Sequence, residues 1–302
     1  MWSIALAPSR APFDETALRA LVDPARGAPA LELDSALAAT RERYAVDFRG
    51  ARARAGVARG HLIDVILEQP GGNGAANEQE AAEAFVDLLL GEARFDDWIG
   101  AVAVAPAPRG GPLRVVQSRP GDGHFFPLHE LAGAVAAAVS GIHAGLPAGP
   151  LWSLGGEQRW YLFELDGSEH AEGTVESDVV LVSTFMPELV KSFLSGAPFA
   201  STRFSRSSEL FAYLKYENRE PDSRRALARR RVLEDALDAA LVSERSGRVI
   251  GSGMGVTHSY VNFALDRVAH ALDLVGEVMR KVGLHRAPSA VEFCDAPLAN
   301  RV

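Results

Sequence analysis

The run ELFAYLKYE (209–217), followed by RVIGS (248–252), THSYVNFAL (257–265) and SAVEFC (289–294), decides the fold. Between the first two strand-like runs, residues 222 to about 243 carry Leu227, Leu233, Leu237, Ala240 and Leu241 at helical steps. Before the last run, residues 267–282 place Val268, Ala271, Leu272, Val275, Val278 and Met279 on one stripe, with Asp266 where an N-cap belongs. The order is βαββαβ, that of the split-βαβ or ferredoxin-like unit. Both helices of such a unit cover one face of its sheet. Strict alternation in 257–265 then turns Val261, Phe263 and Leu265 to the helices, and His258, Tyr260 and Asn262 to the other face.

Strand 209–217 adds Phe211, Tyr213 and Lys215 to that second face, and the two strands are neighbours at the centre of the sheet. These six residues are the candidate binding face. Aromatics with a cation and an amide are what single-stranded RNA binders of this fold use to stack bases. They equally suit a face packed against another part of the chain or a second subunit. The Lys/Arg-Gly-Phe/Tyr-Gly/Ala-Phe run of such RNA binders is missing, and the chain carries a formal charge of −8. The expectation is therefore a covered face, with Tyr213 and Tyr260 side by side on it.

Upstream the same order recurs. HLIDVIL (61–67), WIGAVAVA (98–105), PLRVVQ (112–117) and QRWYLFEL (158–165) read as strands. Helices fall between the first two and before the last, the earlier one opening on a capping-box pair, Asn77 and Glu80. The expected fold is α+β, with tandem ferredoxin-like (βαββαβ) units whose antiparallel sheets carry helices on one face. Residues 1–59 are then an N-terminal extension with a strand and short helices, and 60–166 the first domain. An acidic linker follows over 167–178, and 179–302 form the second domain with an extra leading strand and helix. The basic stretch RGARARAGVARG (49–60) reads as a solvated connector.

A single cysteine, Cys294, excludes an intramolecular disulfide and a thiolate-rich zinc site. No apolar run approaches the roughly 20 residues of a membrane helix, and the N-terminus has no basic region ahead of an apolar one. No membrane association and a cytoplasmic location are expected.

Few stretches carry chemistry. GSGMG (251–255) lies between two strands, so it reads as a hairpin turn needing positive φ rather than a phosphate loop opening onto a helix. PRGGPLR (108–114) reads the same way, with Arg109 and Arg114 as anion candidates. GDGHFFPLHEL (121–131) gathers Asp122, His124, His129 and Glu130. Its histidines are not spaced for one helical face, so these four are only the nearest approach to a metal set and no metal is assigned. RRALARRR (224–231), followed by Glu234, Asp235 and Asp238, reads as an exposed, salt-bridged helix face. No GxSxG is present, no catalytic residue is assignable and no cofactor is implied.

At the level of fold, a tandem of this kind resembles the CRISPR repeat-processing endoribonucleases and the chlorite-dismutase and dye-decolorising peroxidase families. GSGMG is shorter than the glycine-rich loop of the former and lies too far upstream. RPGDG (119–123) has Arg119 where the GxxDG motif of the peroxidases has its first glycine. The expected function is a non-catalytic interaction or scaffold protein. Its partner would be another protein or a second copy rather than nucleic acid. The alternative is an enzyme or RNA-binding protein on the same fold, acting in RNA processing or with haem.

Overall fold

A computed structural model of the protein describes residues 3–5, 15, 16, 19, 27–69, 77–106, 124–165, 178–196, 198–218, 222–285 and 287–295. In chain order its elements begin with β1 (Ser3–Ala5), α1 (Leu33–Tyr44), β2 (Arg52–Val57), β3 (Ile63–Gln69), α2 (Glu78–Leu90), α3 (Glu92–Trp98) and β4 (Ile99–Pro106). Then come β5 (Phe126–Pro127), α4 (Leu131–Gly145), β6 (Tyr161–Glu164), β7 (Val179–Thr184) and α5 (Pro187–Phe193). The remainder is β8 (Leu210–Glu217), α6 (Ser223–Ser243), β9 (Gly247–Gly255), β10 (His258–Leu265), α7 (Val268–Lys281) and β11 (Ser289–Phe293). The fold is α+β, with two sheets in which antiparallel pairing predominates.

One compact unit comprises Met1–Val22, Leu146–Val190 and Phe199–Val302. Its sheet has seven strands in the order β1-β11-β8-β10-β9-β7-β6, every neighbouring pair antiparallel. Helices α6 and α7 bury their stripes on one face. Leu233, Leu237 and Leu241 of α6 and Val268, Ala271 and Val275 of α7 meet Leu214, Val261, Phe263 and Val291. Alternation along β8 and β10 thus sorts every second side chain into this core. Arg230 departs from the expected exposed arginine run: it is buried on α6, its Nε 2.7 Å from Glu234 Oε1 one turn on. The cap expected of Asp266 is supplied from elsewhere. Ala269 N donates to Glu15 Oε2 at 2.9 Å, while the Asp266 carboxylate accepts from Trp152 Nε1 at 3.2 Å.

The second unit comprises Asp23–Gly145 and Lys191–Pro198. Its sheet runs β4-β3-β2-β5, and here the first-half expectation of a βαββαβ antiparallel sheet is corrected in three respects. First, β3 and β4 are adjacent and parallel, because the apolar face of α2 (Ala81, Ala82, Phe85, Val86, Leu89) lies over Ile63, Val65 and Leu67 as a crossover. Second, the basic stretch is a strand. In R-A-R-A, Ala53 is buried while Arg52 and Arg54 alternate outward, their guanidinium carbons 5.7 and 5.5 Å from the Phe125 ring centroid. Third, the strand expected at 158–165 is β6, and it belongs to the seven-stranded sheet. Residues 112–117 lie outside the described residues. Asn77 makes no side-chain cap but donates from Nδ2 to Tyr44 O at 2.7 Å. The chain passes between the units after Val22, Gly145, Val190 and Pro198, and of the expected linker only Asp178 is among the described residues. Among the described residues no helix is long and apolar enough to cross a membrane.

Candidate functional site

The face of the seven-stranded sheet opposite α6 and α7 carries the six candidate residues. Tyr213 is the register partner of Asn262, Lys215 of Tyr260 and Phe211 of Ala264, so all lie on one side. The Tyr213 and Tyr260 rings are 6.0 Å apart at 59°. Tyr213 is 5% and Tyr260 3% exposed, and Phe211 is as deeply buried. Lys215, His258 and Asn262 are half-buried. The aromatic part of this face is therefore filled rather than presented to solvent.

Each phenol reaches a carboxylate. The Tyr213 hydroxyl donates to Glu292 Oε2, on the residue directly opposite it in β11. Burial, reinforced by that carboxylate, pushes the Tyr213 phenol far above its ordinary range, so it stays protonated. The Tyr260 hydroxyl donates to Asp178 Oδ2 at 2.6 Å.

Asp178 organises the turn between β9 and β10. Its Oδ1 accepts from Thr257 N at 2.7 Å and Thr257 Oγ1 at 2.6 Å, and its Oδ2 also accepts from His258 N at 3.2 Å. Its main-chain carbonyl takes Val256 N at 2.9 Å. Burial raises the carboxyl, but the bonds from Thr257 and Tyr260, with His258 nearby, outweigh burial and hold it below the usual carboxylate range. His258 Nδ1 lies 2.7 Å from Thr257 Oγ1 and 3.4 Å from Asp178 Oδ2.

The glycines of GSGMG serve this arrangement, which corrects their reading as a turn. They lie inside β9, and none of them has positive φ. A Cβ on Gly255 would stand 2.2 Å from Asp178 Oδ2, one on Gly251 2.7 Å from Ser183 O, and one on Gly253 3.3 Å from Tyr260 Cβ. They permit close approach of a carboxylate, a neighbouring strand and a ring.

Further along the face, Phe211 packs with Phe199 and Phe204, which stack at 5.1 Å. Three charged side chains are buried nearby: Arg203, Glu209 and Asp295. The Arg203 guanidinium lies 5.9 Å from both phenylalanine centroids. Asp295 accepts from Ser201 N at 2.7 Å and Ser201 Oγ at 2.6 Å, and Ser201 Oγ in turn accepts from Phe211 N at 2.9 Å. Glu209 accepts from Leu151 N and Ser205 Oγ, both at 2.8 Å. Burial raises the Glu209 carboxyl; those two bonds oppose the rise and the charge of Asp266 adds to it. Cys294 is half-buried, its thiol pushed up by burial and by the Asp295 and Glu292 carboxylates, the reverse of a reactive thiolate.

Asp178, Ser201, Arg203, Glu209, Glu292 and Asp295 were not singled out by sequence. Glu292 was within reach, since alternation in SAVEFC puts it on the tyrosine face. Of the other candidates, Arg109, Arg114 and Asp122 lie outside the described residues. His124 is exposed, and so are His129 and Glu130, with Nε2 of the one 3.7 Å from Oε1 of the other. Among the described residues no three His, Cys, Asp or Glu side chains are grouped to hold a metal. The arrangement binds strands and loops together: each named carboxylate takes up donors from a neighbouring strand or turn, and the hydroxyls beside them, Thr257 next to His258 and Ser201 next to Asp295, are held in the same networks. No family model matches the chain, and comparison with curated proteins and with solved structures finds no significant match.

Proposed function

We propose that the protein is a non-catalytic interaction protein whose partner is another protein chain. One observation carries this reading: large apolar side chains are exposed on the terminal strand β6 and beside it, Leu162 at 64% and Trp160 at 49%. Among the described residues the tyrosine face, which would have served a ligand, is filled by its own aromatics and carboxylates. The spatial order β11-β8-β10-β9, with α6 and α7 on one side, supports reading residues 209–294 as a ferredoxin-like unit extended by strands at both edges. A cytoplasmic location fits the lone cysteine and its unreactive setting.

Purification of the full chain from its native host tests the proposal. The expected product contains protein alone, without a Soret band or a nucleic-acid ultraviolet spectrum. A bound chromophore or RNA, or binding of single-stranded RNA that disappears in Tyr260→Ala while the fold survives, would overturn it in favour of the enzyme or RNA-binding alternative.

A further inference from the structure

We infer that the outer face of α6 is a docking surface for an amphipathic helix of another protein, one whose apolar stripe is flanked by glutamate or aspartate. The inference rests on the interaction reading above and adds to it a second surface and the chemistry of its partner.

At about 3.6 residues per turn, the exposed half of α6 sorts into three rows. Ala228 and Val232, one turn apart, form the middle row, and Val232 is 60% exposed. Arg225 and Arg229 run along one side of it and Arg224 and Arg231 along the other, all four exposed. Arg229 Nη2 donates to Gly283 O at 3.5 Å, which sets its row beside the end of α7, where Arg280 and Lys281 are exposed as well.

The acids that follow the arginine run do not neutralise it. Glu234 is taken by the buried Arg230, and Asp238 accepts from Val249 N at 2.9 Å with Arg248 Nε 3.8 Å away. Arg225 has Asp222 at 3.8 Å, both side chains being largely in solvent. Among the described residues Arg224, Arg229, Arg231 and Arg280 have no carboxylate within 4.0 Å.

Nor does α6 itself gain from these cations. Its first turn holds no acid, and Arg224 and Arg225 stand where the helix dipole favours anions. Arg225 and Arg229 are like charges one turn apart, which disfavours the helix further. Local rules broken without a local gain mark a surface kept for something outside the helix.

The chemistry of the three rows selects the occupant. An apolar line between two cationic rims complements a helix with apolar residues at three- and four-residue steps and acids beside them, as charged flanks accompany a coiled-coil seam. The rims of α6 are guanidinium groups, which pair bidentately with carboxylates. A phosphate backbone would leave Val232 without an apolar partner. As an extended polyanion it would also meet the rest of a chain whose formal charge is −8 even with these cations counted.

Fluorescence anisotropy of three labelled peptides mixed with the full chain tests this. Each has leucine at alternating three- and four-residue steps and alanine elsewhere, except that the positions flanking the leucines are glutamate, glutamine or lysine. The glutamate peptide should bind about tenfold more tightly than the glutamine one and weaken as salt rises. The lysine peptide should not bind. Arg225→Glu with Arg231→Glu, one from each side, should weaken the glutamate peptide by about tenfold or more, and Val232→Ser should weaken it too. Glutamate at all four arginine positions should turn the preference to the lysine peptide. All these positions are exposed, and an unchanged circular dichroism melt shows that the fold is kept. A glutamate peptide that fails to bind, or binds no more tightly than the glutamine one, overturns the inference. So does one that binds the double arginine variant as tightly as wild type. Tighter binding of a single-stranded oligothymidylate of equal length overturns it in favour of phosphate recognition. The interaction reading is tested separately, by what copurifies with the chain, and a preparation of protein alone leaves it standing if the peptide fails.

Discussion

Tyr260 and Asp178 meet beside the glycine stretch of β9, which offers no side chain on that face. The phenol hydroxyl donates to Oδ2 at 2.6 Å, a Cβ on Gly255 would fall 2.2 Å from that same Oδ2, and one on Gly253 would press on Tyr260 Cβ at 3.3 Å. The strand, the turn and the carboxylate are consequently interdependent, and substitutions test each separately.

Gly255→Ala should destabilise the fold by more than about 2 kcal/mol, since its Cβ meets a carboxylate already fixed by four donors. Gly133→Ala and Gly141→Ala, in α4 with open space around them, should instead stabilise by up to about 1 kcal/mol through helix propensity. Urea denaturation midpoints of the three variants check the contrast.

Tyr260→Phe should cost about 1.5–3 kcal/mol, the worth of a hydrogen bond to a charged carboxylate. Tyr260→Ala should cost about 3–5 kcal/mol, because the vacated ring space lies against Tyr213 in a buried layer. Equal losses in the two variants would show that the ring contributes little packing.

The legible parts of this fold are those fixed by local period. Alternation in 257–265 and the stripe in 268–279 are properties of neighbouring residues, and they placed Val261, Phe263, Val268 and Val275 in the core. Strand 158–165 was legible as a strand but not as a member of the seven-stranded sheet, because any exposed edge can accept it and the choice lies in three dimensions. The helix α7 cap was misread for a related reason. Asp266 is adjacent in sequence, but Glu15 arrives from the far end of the chain with its carboxylate better aimed. At the candidate face, phase located Tyr213 and Tyr260, whereas Asp178 looked like one more acid in a linker. The basic period of 49–60 hid an alternation that its small alanines make possible.

Asp178→Asn should destabilise by about 2–4 kcal/mol at neutral pH, since an amide cannot accept from all four donors. The folded carboxyl lies below its unfolded value. Its contribution is thus complete above the ordinary Asp value of about 4 and is lost as the pH falls through the folded value. The gap between wild type and variant should close over that acidic window, as read from urea midpoints across pH.

Glu209→Gln should behave in the opposite sense. The folded carboxyl lies above its unfolded value, so ionisation penalises the native state at neutral pH, and wild type gains stability as the pH falls towards the ordinary Glu value of about 4.3. A glutamine can still accept from Leu151 N and donate to Ser205 Oγ. The variant should equal or exceed wild type at pH about 7 and lose that advantage below pH about 4. A variant that is less stable throughout would show that the charge itself is needed.

The pairing of β1 with β11 has a consequence for synthesis on the ribosome. Ser3 finds its partner, Glu292, only when everything between them has been made. Residues 23–145 emerge before any of strands β6 to β11 is available, and so precede the sheet whose first strand is already waiting. A nascent chain halted before residue 289 would carry β11's two neighbours, β1 and β8, with the slot between them empty. Such a chain presents two uncapped edges at once, and quality-control factors that bind extended segments would act on it at that stage.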